Sequence, residues 1–174
     1  MRPSLSLKAC ALQLLAQREH SRVELRRKLL AYASLQATAG PDAGAEPAGS
    51  PTFTRRLPPP PQVQANVDTL LDWLAANGHL SEARFLEARV RTRAARLGNL
   101  RIRQELAQHG LQLRPEEEQA LRDSELARAR QVWARKFDAP AEDATGRARQ
   151  QRFLAGRGFS ADVIRLVLRG DADD

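Results

Sequence analysis

The chain is predicted to be all-α, from three observations. Ala, Leu, Arg, Glu and Gln, all good helix formers, dominate a sequence that is 42% hydrophobic but only 5% aromatic, and β-branched runs are absent. Apolar residues recur three and four positions apart through most of the chain. One short basic helix also recurs three times at intervals of about fifty residues, the mark of a helical repeat array. Its central copy, residues 97–111, sets Ile102 and Leu106 on one face between two glycines. Asn99 is expected to cap its start, and Gly110 to take the left-handed conformation that closes it. Upstream, residues 20–29 place Leu25 and Leu29 at the same spacing. Downstream, residues 146–159 end another basic helix in Leu154-x-x-x-Gly158, with Gln150 where an apolar residue should stand.

The elements follow in order. Residues 5–17 form a first helix with Leu7, Cys10, Ala11, Leu14 and Leu15 inward. Ser21-x-x-Glu24 reads as a capping box opening a second helix, with Leu25, Leu29 and Tyr32 inside and Arg22, Arg26, Arg27 and Lys28 outside. Residues 38–61 then hold seven prolines, ending in Pro58-Pro59-Pro60-Pro61. Such a stretch buries too little apolar surface to offset its ordering entropy, so a disordered insert is predicted. Val63, Val67, Leu70, Leu71 and Leu74 define a third helix, stopped by Asn77-Gly78. Ser81 caps a fourth, with Phe85, Leu86 and Val90 inward and Arg89, Arg93 and Arg96 sharing another face. Pro115 and Glu116 to Glu118 open a sixth helix after the central one. A seventh carries Leu126, Ala129, Trp133 and Phe137 and closes at Asp138-Ala139-Pro140. The eighth carries Phe153 and Leu154. The ninth starts at Ser160 and packs Val163, Ile164, Val167 and Leu168, and a frayed acidic tail follows. Nine helices in threes give an elongated array of three tandem three-helix repeats: 1–80 (with the insert at 38–61), 81–123 and 124–174.

Charge narrows the function. Three of the 28 basic residues are lysine (Lys8, Lys28 and Lys136), the rest are arginine, and the formal net charge is +7. Forked guanidinium groups suit carboxylates or phosphates, so the natural partner is nucleic acid or an acidic protein. Residues 81–110 hold seven arginines against three glutamates. A solvated face with local pairs such as Glu105 with Arg101 competes there with a docking surface, whereas Arg128 and Arg130, beside acidic residues, are expected to matter less. His20, His79 and His109 fall at predicted helix ends. No metal-ligand spacing and no phosphate-cradling glycine loop is present, so no catalytic residue, metal or cofactor is expected. The lone Cys10 fits a reducing cytoplasm, and no run of apolar residues is long enough to span a membrane. Trp73, Phe85, Trp133, Phe137, Phe153 and Phe159 sit at apolar or helix-closing positions, leaving no evident platform for stacking bases.

Four motifs, in order, carry a resemblance. They are Ala16-Gln17-Arg18-Glu19-His20-Ser21-x-x-Glu24-Leu25-x-x-Lys28-Leu29, Leu74-x-x-x-Gly78-His79-Leu80-Ser81-Glu82-x-Arg84-Phe85, Arg101-Ile102-x-x-Glu105-Leu106-x-x-x-Gly110 and Arg149-x-x-Arg152-Phe153-Leu154-x-x-Arg157-Gly158-Phe159-Ser160. Together they resemble the RecX family of recombinase regulators over nearly the whole chain apart from the insert. The first repeat departs from the pattern by running on through Ala31-Tyr32-Ala33 where a glycine stop is usual. The resemblance implies a monomeric cytoplasmic regulator that binds the RecA recombinase, lodges against its filament on DNA, and restrains strand exchange and ATP hydrolysis. Arg84, Arg89, Arg93, Arg96, Arg101, Arg103, Arg149, Arg152 and Arg157 are the expected surface toward RecA or DNA. The rival reading is a stand-alone DNA-binding protein with helix-turn-helix-like units.

Overall fold

The computed structural model describes residues 5–38 and 60–169, among which lie nine helices and no strand. The predicted insert at 38–61 falls, but for its border residues, outside the described residues, and so does the acidic tail. Two compact units divide the chain, 1–82 and 83–174.

The first unit holds α1 (Leu7–Gln17), α2 (Arg22–Thr38) and α3 (Pro61–Ala76). Each helix starts as its sequence dictates. Ser6 Oγ accepts from the Ala9 N–H at 3.2 Å, Ser21 Oγ from the Glu24 N–H at 3.1 Å, and Pro61 occupies the first turn of α3, where no N–H is needed. Ala11, Leu25, Leu29, Val67, Leu71, Leu74 and Leu80 form the core. With no glycine at Ala31 to Ala33, α2 runs for 17 residues. The added turns are used: Tyr32 Oη donates to the Leu5 carbonyl at 2.8 Å and Gln36 Nε2 donates to it at 3.0 Å, tying down the approach to α1. Arg22 pairs with Asp72 and Arg26 with Asp68, setting α2 against α3. Trp73 departs from the core reading. It is 38% exposed, stacked on His79 and covered by Lys8, whose Nζ lies 3.7 Å from the ring centre.

His20 lies just before α2, at a helix end as expected, and is only 1% exposed. Its Nδ1 lies 2.9 Å from the Arg18 carbonyl and its Nε2 3.0 Å from Lys28 Nζ. Those partners assign the neutral tautomer with Nδ1–H donating and Nε2 accepting. Burial is the main force lowering its pKa from 6.5, and the Arg18 and Lys28 charges add to it. Glu24, ion-paired with Arg18 and 3.5 Å from Lys28, is also pulled below its usual value: burial pushes it up, but the Arg18 hydrogen bonds and nearby cations outweigh that. Both groups bind a proton more readily unfolded than folded, so acid favours unfolding. The melting temperature should fall as the pH drops below 6.5, the ordinary histidine value. His20→Gln should flatten that part of the profile. A melting temperature flat from about pH 7 to 5 would contradict the assignment.

The second unit contains α4 (Glu82–Ala94), α5 (Asn99–Ala107), α6 (Pro115–Asp123), α7 (Glu125–Ala134), α8 (Ala144–Ala155) and α9 (Ala161–Arg169). Ile102, Leu106 and Leu121 form one core, with Leu86, Val90 and Leu97 against it. Ala129, Val132, Leu154, Phe159, Ile164 and Val167 form another. Leu106 is 1% exposed, so Leu106→Ala should destabilise the unit by roughly 2–5 kcal/mol. A chemical-denaturation midpoint shifted by only a few tenths of a kcal/mol would refute its place in the core.

One closure occurs three times. Leu74, Leu106 and Leu154 are buried, and four residues after each comes a glycine with positive φ: Gly78 (71°), Gly110 (72°) and Gly158 (82°). In each, the residue after the glycine donates its N–H to the leucine carbonyl, while the glycine N–H bonds three residues back. This is the Schellman pattern, which satisfies the last carbonyls and seats the leucine beneath the turn. Gln150 is the polar exception in the third copy. It is buried, but its Nε2 donates to the Ala139 carbonyl at 2.9 Å and its Oε1 accepts from the Ala141 N–H, so it holds the α7–α8 connection. That connection begins earlier than predicted: α7 ends at Ala134, and Phe137 lies beyond it, edge-on to Phe153 at 5.1 Å.

The two cores are joined by backbone. The Gly98 N–H donates to the Arg157 carbonyl at 2.9 Å and the Leu100 N–H to the Gly158 carbonyl at 3.0 Å. A Cβ on Gly98 would collide with the backbone of Gly158 and Phe159, and one on Gly158 would sit 2.6 Å from Arg101 N and Cβ. Gly98, not Asn99, therefore caps α5. Asn99 is buried instead, and its Oδ1 accepts from Arg128 at 2.6 Å. The physical reason is the tight approach: only glycine fits at the cap, which moves asparagine one place inward.

Two charged side chains complete the joint. Glu125, 5% exposed, accepts from the Asn99 N–H at 3.0 Å, the Ser160 N–H at 3.3 Å and the Ser160 hydroxyl at 3.2 Å. The starts of α5, α7 and α9, all partially positive, thus converge on one carboxylate. Arg128 answers the opposite ends, donating to the carbonyls of Ala94, Leu97 and Leu121 at 3.3, 2.8 and 2.9 Å. Desolvation depresses its pKa, while Glu125 raises it. Arg128, expected from sequence to matter less for docking than the middle arginines, has a structural role that the sequence did not reveal: it caps helix ends from inside.

Candidate interaction surface

The arginines singled out from sequence fall into distinct groups once placed. Arg84 is exposed on α4. Arg89 and Arg93 lie on α4 one turn apart, and both point at Glu105 of α5, with Nε to Oε2 distances of 3.7 and 2.9 Å. Glu105 therefore pairs across helices rather than with Arg101, whose NH1 lies 3.4 Å from Gln104 Oε1. The geometry explains the choice: one carboxylate facing the adjacent helix meets two guanidinium groups at once. Arg96 does not share their face. α4 ends at Ala94, and the chain turns as the Arg96 and Leu97 N–H groups bond the Arg93 carbonyl.

Arg103 is also engaged, 2.8 Å from Glu118, which is 3.0 Å from Arg122. Hydrogen bonding from Arg122 leads the effects that hold the Glu118 carboxyl below its ordinary pKa. Glu117 reaches back to the Arg114 N–H at 2.9 Å and to its guanidinium at 2.7 Å, securing the start of α6. Glu117 and Glu118 of the acidic turn are thus engaged in structural pairing.

The remaining sites face solvent. Arg101, Arg149 and Arg152 are exposed and have no acidic partner among the described residues. Arg157 is half-buried after α8, its NH1 donating to the Phe153 carbonyl at 3.3 Å and its guanidinium carbon 3.7 Å from the centre of the Phe153 ring. Arg96 and Arg157 line one concavity together with Arg135 and Lys136, two cations that sequence reasoning passed over. Their only signal was position just after a helix end, where cations are common for local reasons.

No helix among the described residues is long and apolar enough to cross a membrane. Among them, too, no cluster of three or more His, Cys, Asp or Glu is placed to hold a metal.

These features define an all-α protein whose second compact unit, 83–174, presents a cationic surface. Residues 81–112 match the family described as RecX, second three-helix domain, and residues 123–168 match RecX, third three-helix domain. Similar proteins named Regulatory protein RecX include one from Leptothrix cholodnii, 45% identical with 97% of this chain and 90% of that protein covered. Others are from Herminiimonas arsenicoxydans (42%, covering 97% and 95%) and Pseudomonas putida (41%, covering 97% and 94%). The chain belongs to the RecX family of regulatory proteins.

Proposed function

We propose that the protein is a monomeric cytoplasmic regulator that binds the RecA recombinase and its filament on DNA, restraining recombinase and ATPase activity in recombination and repair. The observation that carries this reading is likeness along 97% of the chain to proteins named Regulatory protein RecX. The unpaired arginines of the second unit support it, since a recombinase–DNA filament is a large anionic target. Three repeats, at 1–80, 81–123 and 124–174, are the modules through which it acts, and no cofactor or catalytic residue is required.

Arg101, Arg149 and Arg152 are the docking residues best placed to be tested, because no described acid depends on them. Replacing all three by Glu should weaken inhibition of RecA ATPase on single-stranded DNA by about tenfold or more, since like charges across an interface cost several kcal/mol. Helicity should be unchanged. Inhibition equal to the parent's would remove these residues from the docking surface. Pull-down with RecA, with and without DNA and a non-hydrolysed nucleotide, tests the partner itself. A stand-alone DNA-binding protein would instead bind bare DNA with a steep salt dependence and ignore RecA.

A further inference from the structure

The concavity in the second unit that holds Arg96, Arg135, Lys136 and Arg157 has a volume of about 350 Å³ and is floored by Val132 and Phe153. Among the described residues, no acidic side chain lines it, and Arg96, Arg135 and Lys136 have no ion pair. The four cations come from three places. Arg96 follows the end of α4 at Ala94, Arg135 and Lys136 follow the end of α7 at Ala134, and Arg157 follows the end of α8 at Ala155. Cations at helix C-termini are ordinarily explained by the partial negative charge there. That explanation is insufficient here. Three helix ends supply about half a negative charge each, leaving a surplus of roughly two and a half positive charges in one small hollow.

Phe153 indicates what kind of anion fits. Its ring is flanked by the Arg157 guanidinium at 3.7 Å and by Lys136 Nζ at 4.8 Å from the ring centre. The ring thus engaged holds two of the cations in place. A hollow lined by cations over an apolar floor suits an anion. We propose that it is a binding site for the phosphodiester backbone of nucleic acid, with Arg96, Arg135, Lys136 and Arg157 each able to donate to phosphate oxygens. Guanidinium forks match phosphate bidentately, and the lysine adds a mobile point charge. The inference rests on the reading that this protein works on a DNA-bound filament, and it divides the cations of the second unit. Arg89, Arg93 and Arg103 are spent on Glu105 and Glu118, whereas the hollow is left for phosphate.

The test uses the whole protein, without recombinase, and a short fluorescein-labelled oligodeoxythymidine, with anisotropy followed across a salt series. Arg135→Glu with Lys136→Glu should lower affinity by about tenfold or more and flatten the plot of log affinity against log salt by roughly 1–1.5 units, the share of two phosphate contacts. Arg27→Glu with Arg91→Glu makes the same change in net charge on exposed residues outside the hollow and should have a much smaller effect. Should the Glu pair disturb helicity, Arg135→Gln with Lys136→Gln decides the matter, with the same direction and a smaller fall. Oligonucleotide binding equal to the parent's, or an equal loss in the Arg27/Arg91 control, overturns the proposal. In a separate pull-down of the same variant, loss of RecA binding with oligonucleotide binding intact also overturns it, assigning the hollow to a protein carboxylate. Because the assay contains no recombinase, failure here leaves the regulatory reading to its own pull-down.

Discussion

Gly98→Ala is expected to lower the stability of the second unit by about 3–5 kcal/mol, although it adds a single methyl group. The methyl would meet the backbone of Gly158 and Phe159, which cannot swing aside as a side-chain tip does. Overpacking of this kind costs about 1–3 kcal/mol, and pushing the strands of chain apart also weakens two hydrogen bonds worth about 1 kcal/mol each. For a unit of this size the melting temperature should drop by on the order of 15 °C, read by circular dichroism. Gly78→Ala provides the contrast. Gly78, unlike the extended Gly98, has a left-handed backbone but nothing within 4 Å of the added carbon, so only the conformational cost of about 1–2 kcal/mol applies. A loss at Gly98 no larger than that at Gly78 would show that the close approach is relieved at little cost and does not fix glycine there.

Glu125→Ala should cost a similar amount, about 3–5 kcal/mol, for a different reason. The carboxylate is buried and accepts three hydrogen bonds, two of them from backbone N–H groups at the starts of α5 and α9. Truncation leaves those donors without a partner and removes the negative charge that partly compensates Arg128. Glu125→Gln keeps the shape and one acceptor, so it should lose about 1–2 kcal/mol. Denaturant midpoints for both variants, with surface Glu116→Ala as reference, measure the difference. A Glu125→Ala midpoint as close to the parent as that of Glu116→Ala would mean that the carboxylate holds nothing together.

These two residues also mark where sequence reasoning stopped. The helices were legible because apolar spacing records which face is buried: Leu25, Leu29, Ile102, Leu106 and Leu154 all lie in cores. The glycine closures were legible because a buried leucine four residues before a glycine has few other meanings. Contacts between distant segments leave no periodic trace. Glu125 looks like an ordinary acid at a helix start, and Arg128 like one more surface cation. Their roles depend on helix ends 26 to 35 residues away in the chain. The same holds for the arginines. Spacing placed Arg89 and Arg93 on one face, but Glu105 opposite them decides that they are engaged. Position after separate helix ends brings Arg96, Arg135, Lys136 and Arg157 together, and only the folded chain can do that.

The joint between the two cores of the second unit is made of main chain, two glycines and two internal charged groups. The exposed guanidinium groups of Arg101, Arg149 and Arg152 take no part in that joint, so they can be exchanged with little penalty to folding. A lineage is then free to retune its grip on a partner, strengthening or loosening it one cation at a time, while the scaffold stays put. Variation in such a protein should therefore accumulate as a drifting pattern of surface charge over an unchanging glycine pair.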